Sequence, residues 1–503
     1  MESKLEPIEV MLARRWAAFR MHLVSWFGGI WAQWANGESA PARHSILFLL
    51  CLGITLNLIS IAAPGYYSHD EVQYGILSKD LGRALGGVWV DHMYSLQYRP
   101  FARSFWFFLS FFFYEIPLLM HLSVALVSIF NGVLIYFLLF RVSGQSRSAL
   151  WGFIGYHIFP PTVWIVGWVG TLADSLWMMC ALLIAHILLT DHSDAKKRQS
   201  EGYSLGNLKI TRHLCVVLLF VLGLLSKENF VVLPVAIAGL CLLSKPWRGW
   251  YYALFGTSVV AAIYLLLRLD LLMSGTGSYE ISIRYLFKHM LQYWMYPYTW
   301  KWIEFSAPMN SILGHLSLAA IFMFAPVVLL SFRRQWHLAL AFIFYYFVFS
   351  APALIVEAAF PHYMYGSVLP VVAMVAYSFR LGERKWIKIS ASVLLAVLCF
   401  HSIKIHAMFY TTAIIQTRIY NDTFGILSSY DQDRGNNETR FVIFAEAGSK
   451  PWILRRAFHQ VSEVGAIPIR GRFQIYEYPE YPEELPEDTV ELRFTREGYI
   501  VER

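Results

Sequence analysis

The chain has 503 residues, of which 57% are hydrophobic, 17% aromatic and only 15% charged. A soluble domain averages about 25% charged residues, so this composition, with a mean hydropathy of +0.47, excludes an ordinary soluble domain and indicates a chain that lives mostly in lipid. The formal charge of +7 does not point to nucleic acid, because the basic residues fall in short loops between apolar runs, which is a topology signal.

Residues 1–45 carry Arg14, Arg15 and Arg20 and read as a cytoplasmic N-terminal segment. The first long apolar run starts near Ile46, and no cleavable leader is expected ahead of it. A span needs roughly 20 apolar residues. Eleven candidate spans follow, near 46–64, 118–140, 149–168, 172–190, 213–226, 229–244, 250–268, 312–331, 337–356, 363–379 and 389–410. The fifth and sixth are short and meet at SKEN. The aromatic run FWFFLSFFFY (105–114) is bracketed too closely by Arg99, Arg103 and Glu115 to span, and reads as a helix lying against the membrane face. The five cysteines, Cys51, Cys180, Cys215, Cys241 and Cys399, all lie in apolar runs without a CxxC pair, so neither a disulfide framework nor a zinc site is indicated. Beyond 410, short strand-like runs (RFVIFAEA, GRFQIYEYP, TVELRFT) alternate with turn residues and read as a small α/β appendage.

Loop charges set the orientation. Every even-numbered span exits into Lys or Arg: Arg141 and Arg147, then Lys196 to Arg198, then Lys245 and Arg248, then Arg333 and Arg334, then Arg380 to Lys388. That puts the N-terminus in the cytoplasm. The loops 65–117 and 269–311, the short loop 357–362 and the C-terminal segment 411–503 then lie outside or in a lumen.

Five polar stretches fall on that external face. YYSHDEVQYG (66–75) puts Asp70 and Glu71 at the end of the first span. Such acids are common helix-end residues; in a partly dry cleft they also suit a base that takes a proton from a hydroxyl, and two adjacent carboxylates can hold a metal. In YRP (98–100), Arg99 offers a planar fork suited to a phosphate, or else anchors the interface helix to lipid headgroups. WVGTLADSLW (168–177) places Asp174 at the start of the fourth span, where a helix dipole alone would favour an acid. In LLSKENFVVLP (224–234), Lys227 and Glu228 interrupt apolar sequence, where charges usually pair or bind something; neighbours in sequence do not face each other on a helix. EAAFPHYMYGSVLP (357–370) carries His362, the one cation-capable residue of its loop, beside Tyr363 and Tyr365, which also fit an aromatic belt. Their shared side argues for one external cleft of acids, cations and aromatics, suited to a lipid phosphate substrate and transfer to a hydroxyl.

The ordered series HDEVQYGILSKDLG, YRPFARSFWFFLSFFFYE, HIFPPTVWIVGWVGTLADSLW, LGLLSKENFVVLPVAI and PHYMYGSVLP resembles the GT-C superfamily of membrane glycosyltransferases over about residues 45–380. It is nearest the tetratricopeptide-bearing transmembrane O-mannosyltransferases, and related to the protein O-mannosyltransferases and the aminoarabinose transferases of lipid A. The resemblance implies an α-helical polytopic membrane protein with the GT-C fold and about 11 transmembrane helices over 46–410. It implies inverting transfer of a sugar from an undecaprenyl- or dolichyl-phosphate donor to a lipid, glycan or protein hydroxyl on the periplasmic or lumenal face.

On matching positions, Asp70 would be the general base and Glu71 would support it or bind acceptor. Arg99 and Lys227 would meet the donor phosphate. Asp174, with Glu228, His362 and Tyr363, would line the acceptor and sugar side. The family often has Arg before Tyr in the last motif; His362 stands there instead. No tetratricopeptide repeat is present, so a protein acceptor stands only as one option beside a lipid or glycan. No cofactor is expected, and no metal, because the leaving group is already a phosphate monoester and no His/Cys cluster occurs. The alternative is a transporter or flippase of a lipid-linked sugar, for which mid-bilayer charges and duplicated halves would be expected.

Overall fold

The computed structural model describes residues 42–90, 98–201, 206–243, 248–269, 281–298, 336–357, 360–380, 385–434, 439–459 and, from 463 to 502, strands and short pieces between them. The expected span at 312–331 lies outside these residues, as do nearly all of the segment 1–45 and much of the loop 269–311.

The described chain is mostly helical. In order, it runs through α1 (Ala42–Leu56), α2 (His69–Leu77), α3 (Leu81–Val90), α4 (Pro100–Phe113), α5 (Pro117–Ser143), α6 (Ser146–His157), α7 (Pro160–Gly167), α8 (Leu172–Glu201), α9 (Gly206–Ser226), α10 (Leu233–Leu243), α11 (Arg248–Leu266), α12 (Leu286–Met295), α13 (Trp336–Leu354), α14 (Val368–Arg380) and α15 (Lys385–Arg434). Four stretches are long and apolar enough to cross a membrane: 117–143, 169–189, 336–354 and 389–430. The pair α6 and α7, bent by 57° at its break, makes a fifth if counted as one span. Shorter apolar helices occupy 45–56, 212–226, 228–242 and 250–266.

The breaks have local causes. Proline stands at the first turn of α4, α5 and α7, where its missing N–H costs nothing. α5 ends on Gly144 in the left-handed conformation (φ 71°). The first expected span, 46–64, is interrupted, and a short turn of helix resumes over Leu58–Ile61. Asn57 breaks it after Leu56, and the buried Asn57 amide donates to the Gly53 carbonyl at 2.8 Å and meets His157 Nδ1 at 3.0 Å. Three further breaks are short 3₁₀ turns, Val169–Thr171, Glu228–Val232 and Pro361–Ser367, placed just before α8, α10 and α14. Irregular backbone inside an apolar bundle is tolerated where it is buried in protein or lines a cavity.

α15 has 50 residues, about 75 Å at 1.5 Å per residue, far more than a bilayer core of about 30 Å. It continues unbroken through residue 410, and its last turns carry the small C-terminal sheet. The strands β1 (Arg440–Ala445), β2 (Phe473–Glu477), β3 (Thr489–Phe494) and β4 (Ile500–Glu502) are ordered β2-β1-β3-β4. β1 runs parallel to β2 and β3, while β4 pairs antiparallel at the edge. β1 is buried on both faces after its first residue, as a central parallel strand should be. One helix, α16 (Pro451–His459), packs against it.

The sheet is tied to α15 at the Gly498 turn and again where Tyr430 packs edge-on against Phe441 of β1 at 5.6 Å. Gly498 turns with φ 86°, and a Cβ there would come within 2.8 Å of Ile415. Arg418 donates to the Glu497 carbonyl at 2.9 Å, and the Ile500 N–H donates to Asp422 at 2.9 Å. Val72 of α2 joins the same core as Ile415, Ile419, Phe441 and Leu492. The helix that bears the acid pair is thus held by the C-terminal sheet on one side.

Candidate functional site

α2 begins with a capping box. The Glu71 carboxylate accepts from the Ser68 N–H at 2.7 Å, and the Ser68 hydroxyl accepts from the Asp70 N–H at 3.4 Å. The other Glu71 oxygen accepts from the Val169 N–H at 2.6 Å. Glu71 is buried and Asp70 only half-buried. The two acids therefore differ in kind. Glu71 fastens α2 to the turn before α8, and Asp70 is the acid with access to its surroundings. Tyr66, just upstream, donates its hydroxyl to the Tyr114 carbonyl. Burial pushes its phenol above the usual range, so it stays a donor.

Lys227 and Asp174 form a closed ion pair. Lys227 Nζ lies 2.6 Å from both Asp174 oxygens, and the side chains are 1% and 2% exposed. The Trp177 indole N–H donates to Asp174 at 3.2 Å, and the Tyr363 ring lies 5.0 Å from the Lys227 ammonium. Arg99 and Glu228 form a second, fork-shaped pair with Nε to Oε2 at 2.8 Å and a second bond from Nη2 to Oε1. This pair is more open, at 16% and 34% exposed. Burial alone would penalise both pairs, and each is tolerable because its partner charge is met directly.

These pieces connect. Glu71 holds Val169, whose neighbour Trp168 meets the His362 ring edge-on at 5.2 Å and the Tyr67 ring at 5.7 Å. His362 in turn packs on Tyr363 at 4.6 Å, and Tyr363 faces Lys227. Lys227 precedes Glu228, which holds Arg99. Residues up to 292 positions apart in sequence, Glu71 and Tyr363, are thereby brought to one place, with Asp70 beside Glu71 at its edge. Sequence reasoning missed Arg268, whose guanidinium sits over the rings of Tyr98 at 5.2 Å and Tyr264 at 4.9 Å. A signal was available: like Lys227, Arg268 is a basic residue at the exit of an odd-numbered span, on the side where the other candidate residues lie.

Chemically, the arrangement offers an accessible carboxylate, a buried acid held by an ammonium, and a partly open guanidinium among aromatic rings. Among the described residues, no group of three His, Cys, Asp or Glu side chains is placed to hold a metal ion. Glu71→Ala should destabilise the protein by about 2–4 kcal/mol, because it removes the carboxylate half of the capping box and leaves the Ser68 and Val169 N–H groups unmatched. Denaturant unfolding in detergent would show it, and an unchanged midpoint would contradict the fastening role. Comparisons with protein-family models, with curated proteins and with solved structures found no match.

Proposed function

We propose that the chain is an inverting glycosyltransferase of GT-C type, with about 11 spans, an N-terminus in the cytoplasm and its site on the periplasmic or lumenal face. It takes a sugar from a polyprenyl-phosphate donor and passes it to a hydroxyl of a lipid, glycan or protein. The observation that carries this reading is the convergence of Glu71, Arg99, Asp174, Lys227, Glu228, His362 and Tyr363 into one connected cluster beside Asp70.

In this reaction the acceptor hydroxyl gives its proton to the Asp70 carboxylate as its oxygen attacks the anomeric carbon from the face opposite the phosphate. The bond from that carbon to the phosphate oxygen breaks, and polyprenyl phosphate leaves with the electron pair. Fixed cations stabilise the charge that builds on the leaving oxygen. Arg99 is the more accessible of the two cations and meets the phosphate by sharing its fork with Glu228. Lys227 stays paired and holds Asp174 at the sugar side. Arg99→Ala should weaken binding of a polyprenyl-phosphate sugar about tenfold or more, the scale of one lost charge-assisted hydrogen bond. Unchanged donor affinity would count against the phosphate role.

One observation favours a second reading, transport of a lipid-linked sugar without chemistry: both cations already have carboxylate partners. The reactions differ in their product. Membranes bearing the chain, given labelled polyprenyl-phosphate sugar, yield label bonded to the acceptor in the first case. In the second they yield only label moved, with the donor intact.

A further inference from the structure

α4 has two sides. Phe108, Phe111 and Phe112 are about half exposed and make the outer one. Arg103, Trp106 and Ser110 recur at spacings of three and four, which puts them in one row. Arg103 Nη1, Trp106 Nε1 and Ser110 Oγ are all shut away from solvent without a hydrogen-bond partner among the described residues. Trp106 is 7% exposed and Ser110 2%. Leaving a buried donor unmatched is costly, and three in one row require a physical account. A guanidinium and an indole can only donate, so the row matches a group rich in acceptor oxygens. The positive charge of Arg103 makes that group an oxyanion.

The row has a definite address. The Trp106 ring lies 4.4 Å from Tyr74, which stands one turn after Asp70 on the same side of α2. Trp106 also clusters with Val169, Leu172 and Ala173 at the start of α8, which bears Asp174. Arg103 to Trp106 is a rise of about 4.5 Å, and Ser110 lies about 6 Å further. Trp106 thus touches both the acid helix and the start of the Asp174 helix, and Arg103 lies one turn from Arg99, to whose carbonyl its N–H donates at 2.9 Å.

We infer that Arg103 and Trp106, with Ser110, hold an oxyanion of the acceptor, so that the hydroxyl presented to Asp70 belongs to a phosphate-bearing molecule. The word acceptor rests on the transferase reading; the oxyanion site does not. The phosphate is carried either by a lipid or by a water-soluble molecule, and the test separates them.

The full chain in phosphatidylcholine nanodiscs is titrated with inorganic phosphate by calorimetry, and again with phosphatidic acid added to the bilayer. Saturable phosphate binding is expected. It should weaken about tenfold or more in Arg103→Gln, less in Trp106→Phe, which keeps the ring and loses the N–H, and least in Arg103→Lys. Competition by phosphatidic acid assigns the site to a lipid-borne phosphate, and its lack assigns a soluble one. Absence of saturable binding in the wild type, or wild-type affinity in both Arg103→Gln and Trp106→Phe, overturns the inference. Asp70→Asn should bind phosphate normally, so a failure of the transferase reading at Asp70 leaves this result standing, and the reverse holds too.

Discussion

Lys227→Met should destabilise the protein by about 3–5 kcal/mol, the cost of stranding the buried Asp174 carboxylate. The pair is nearly closed to solvent, with both Asp174 oxygens 2.6 Å from the ammonium. Asp174→Asn should be damaging for the same reason in reverse, since it strands the ammonium. The double variant Lys227→Met with Asp174→Leu should recover most of the loss, because a buried ion pair exchanged for apolar groups of similar volume is often neutral. Denaturant unfolding of the three variants in detergent checks the cycle. If the double variant is as unstable as the sum of the singles, the two residues do not act as a pair. On the transferase reading, the double variant should still lack transfer despite its recovered stability, since it has lost the Asp174 proposed for the sugar side.

Asp70→Asn should do the opposite: keep the fold and lose the reaction. The substitution is nearly isosteric, and Asp70 is only half-buried. Its stability cost should be about 0.3–1 kcal/mol, from the lost charge in the first turn of α2. The rate should fall by about 10²–10⁴, the usual contribution of a positioned general base. Donor affinity should hold, because Arg99 is untouched. The contrast with Glu71→Ala is the sharper test of how the pair divides its work. One acid is expected to matter for rate and the other for stability.

Much of the helical layout was legible because apolar runs and the prolines between them are local signals. Pro160 broke the third expected span into two bent helices, which a count of apolar residues does not register. Asn57 interrupts the first, where its amide makes a buried contact with His157, a hundred residues away. The length of α15 was misjudged from composition, since polar residues after 410 still continue the same helix.

At the site, the motifs were legible but their pairing was not. Lys227 and Glu228 are adjacent, and Lys227 sits in extended backbone (φ −156°, ψ 134°) at the cap of a 3₁₀ turn. Successive side chains in extended backbone point opposite ways, so one reaches Asp174 and the other Arg99. No local pattern reveals those partners. The division between Asp70 and Glu71, by contrast, was written in the spacing: Ser68 followed three residues later by Glu71 is a capping-box signature. Arg103 gave no signal beyond its charge, because its unmatched nitrogen depends on how α4 packs.

If the cluster performs sugar transfer, Asp70 is the base, and the reaction depends on its carboxylate. The most direct measurement follows labelled sugar from a polyprenyl-phosphate donor to acceptor in membranes carrying the wild-type chain or Asp70→Asn at equal amounts. The account predicts labelled acceptor with the wild type and a loss of about a hundredfold or more with Asp70→Asn. Equal labelling by both, or none by the wild type while the donor still binds, would contradict it.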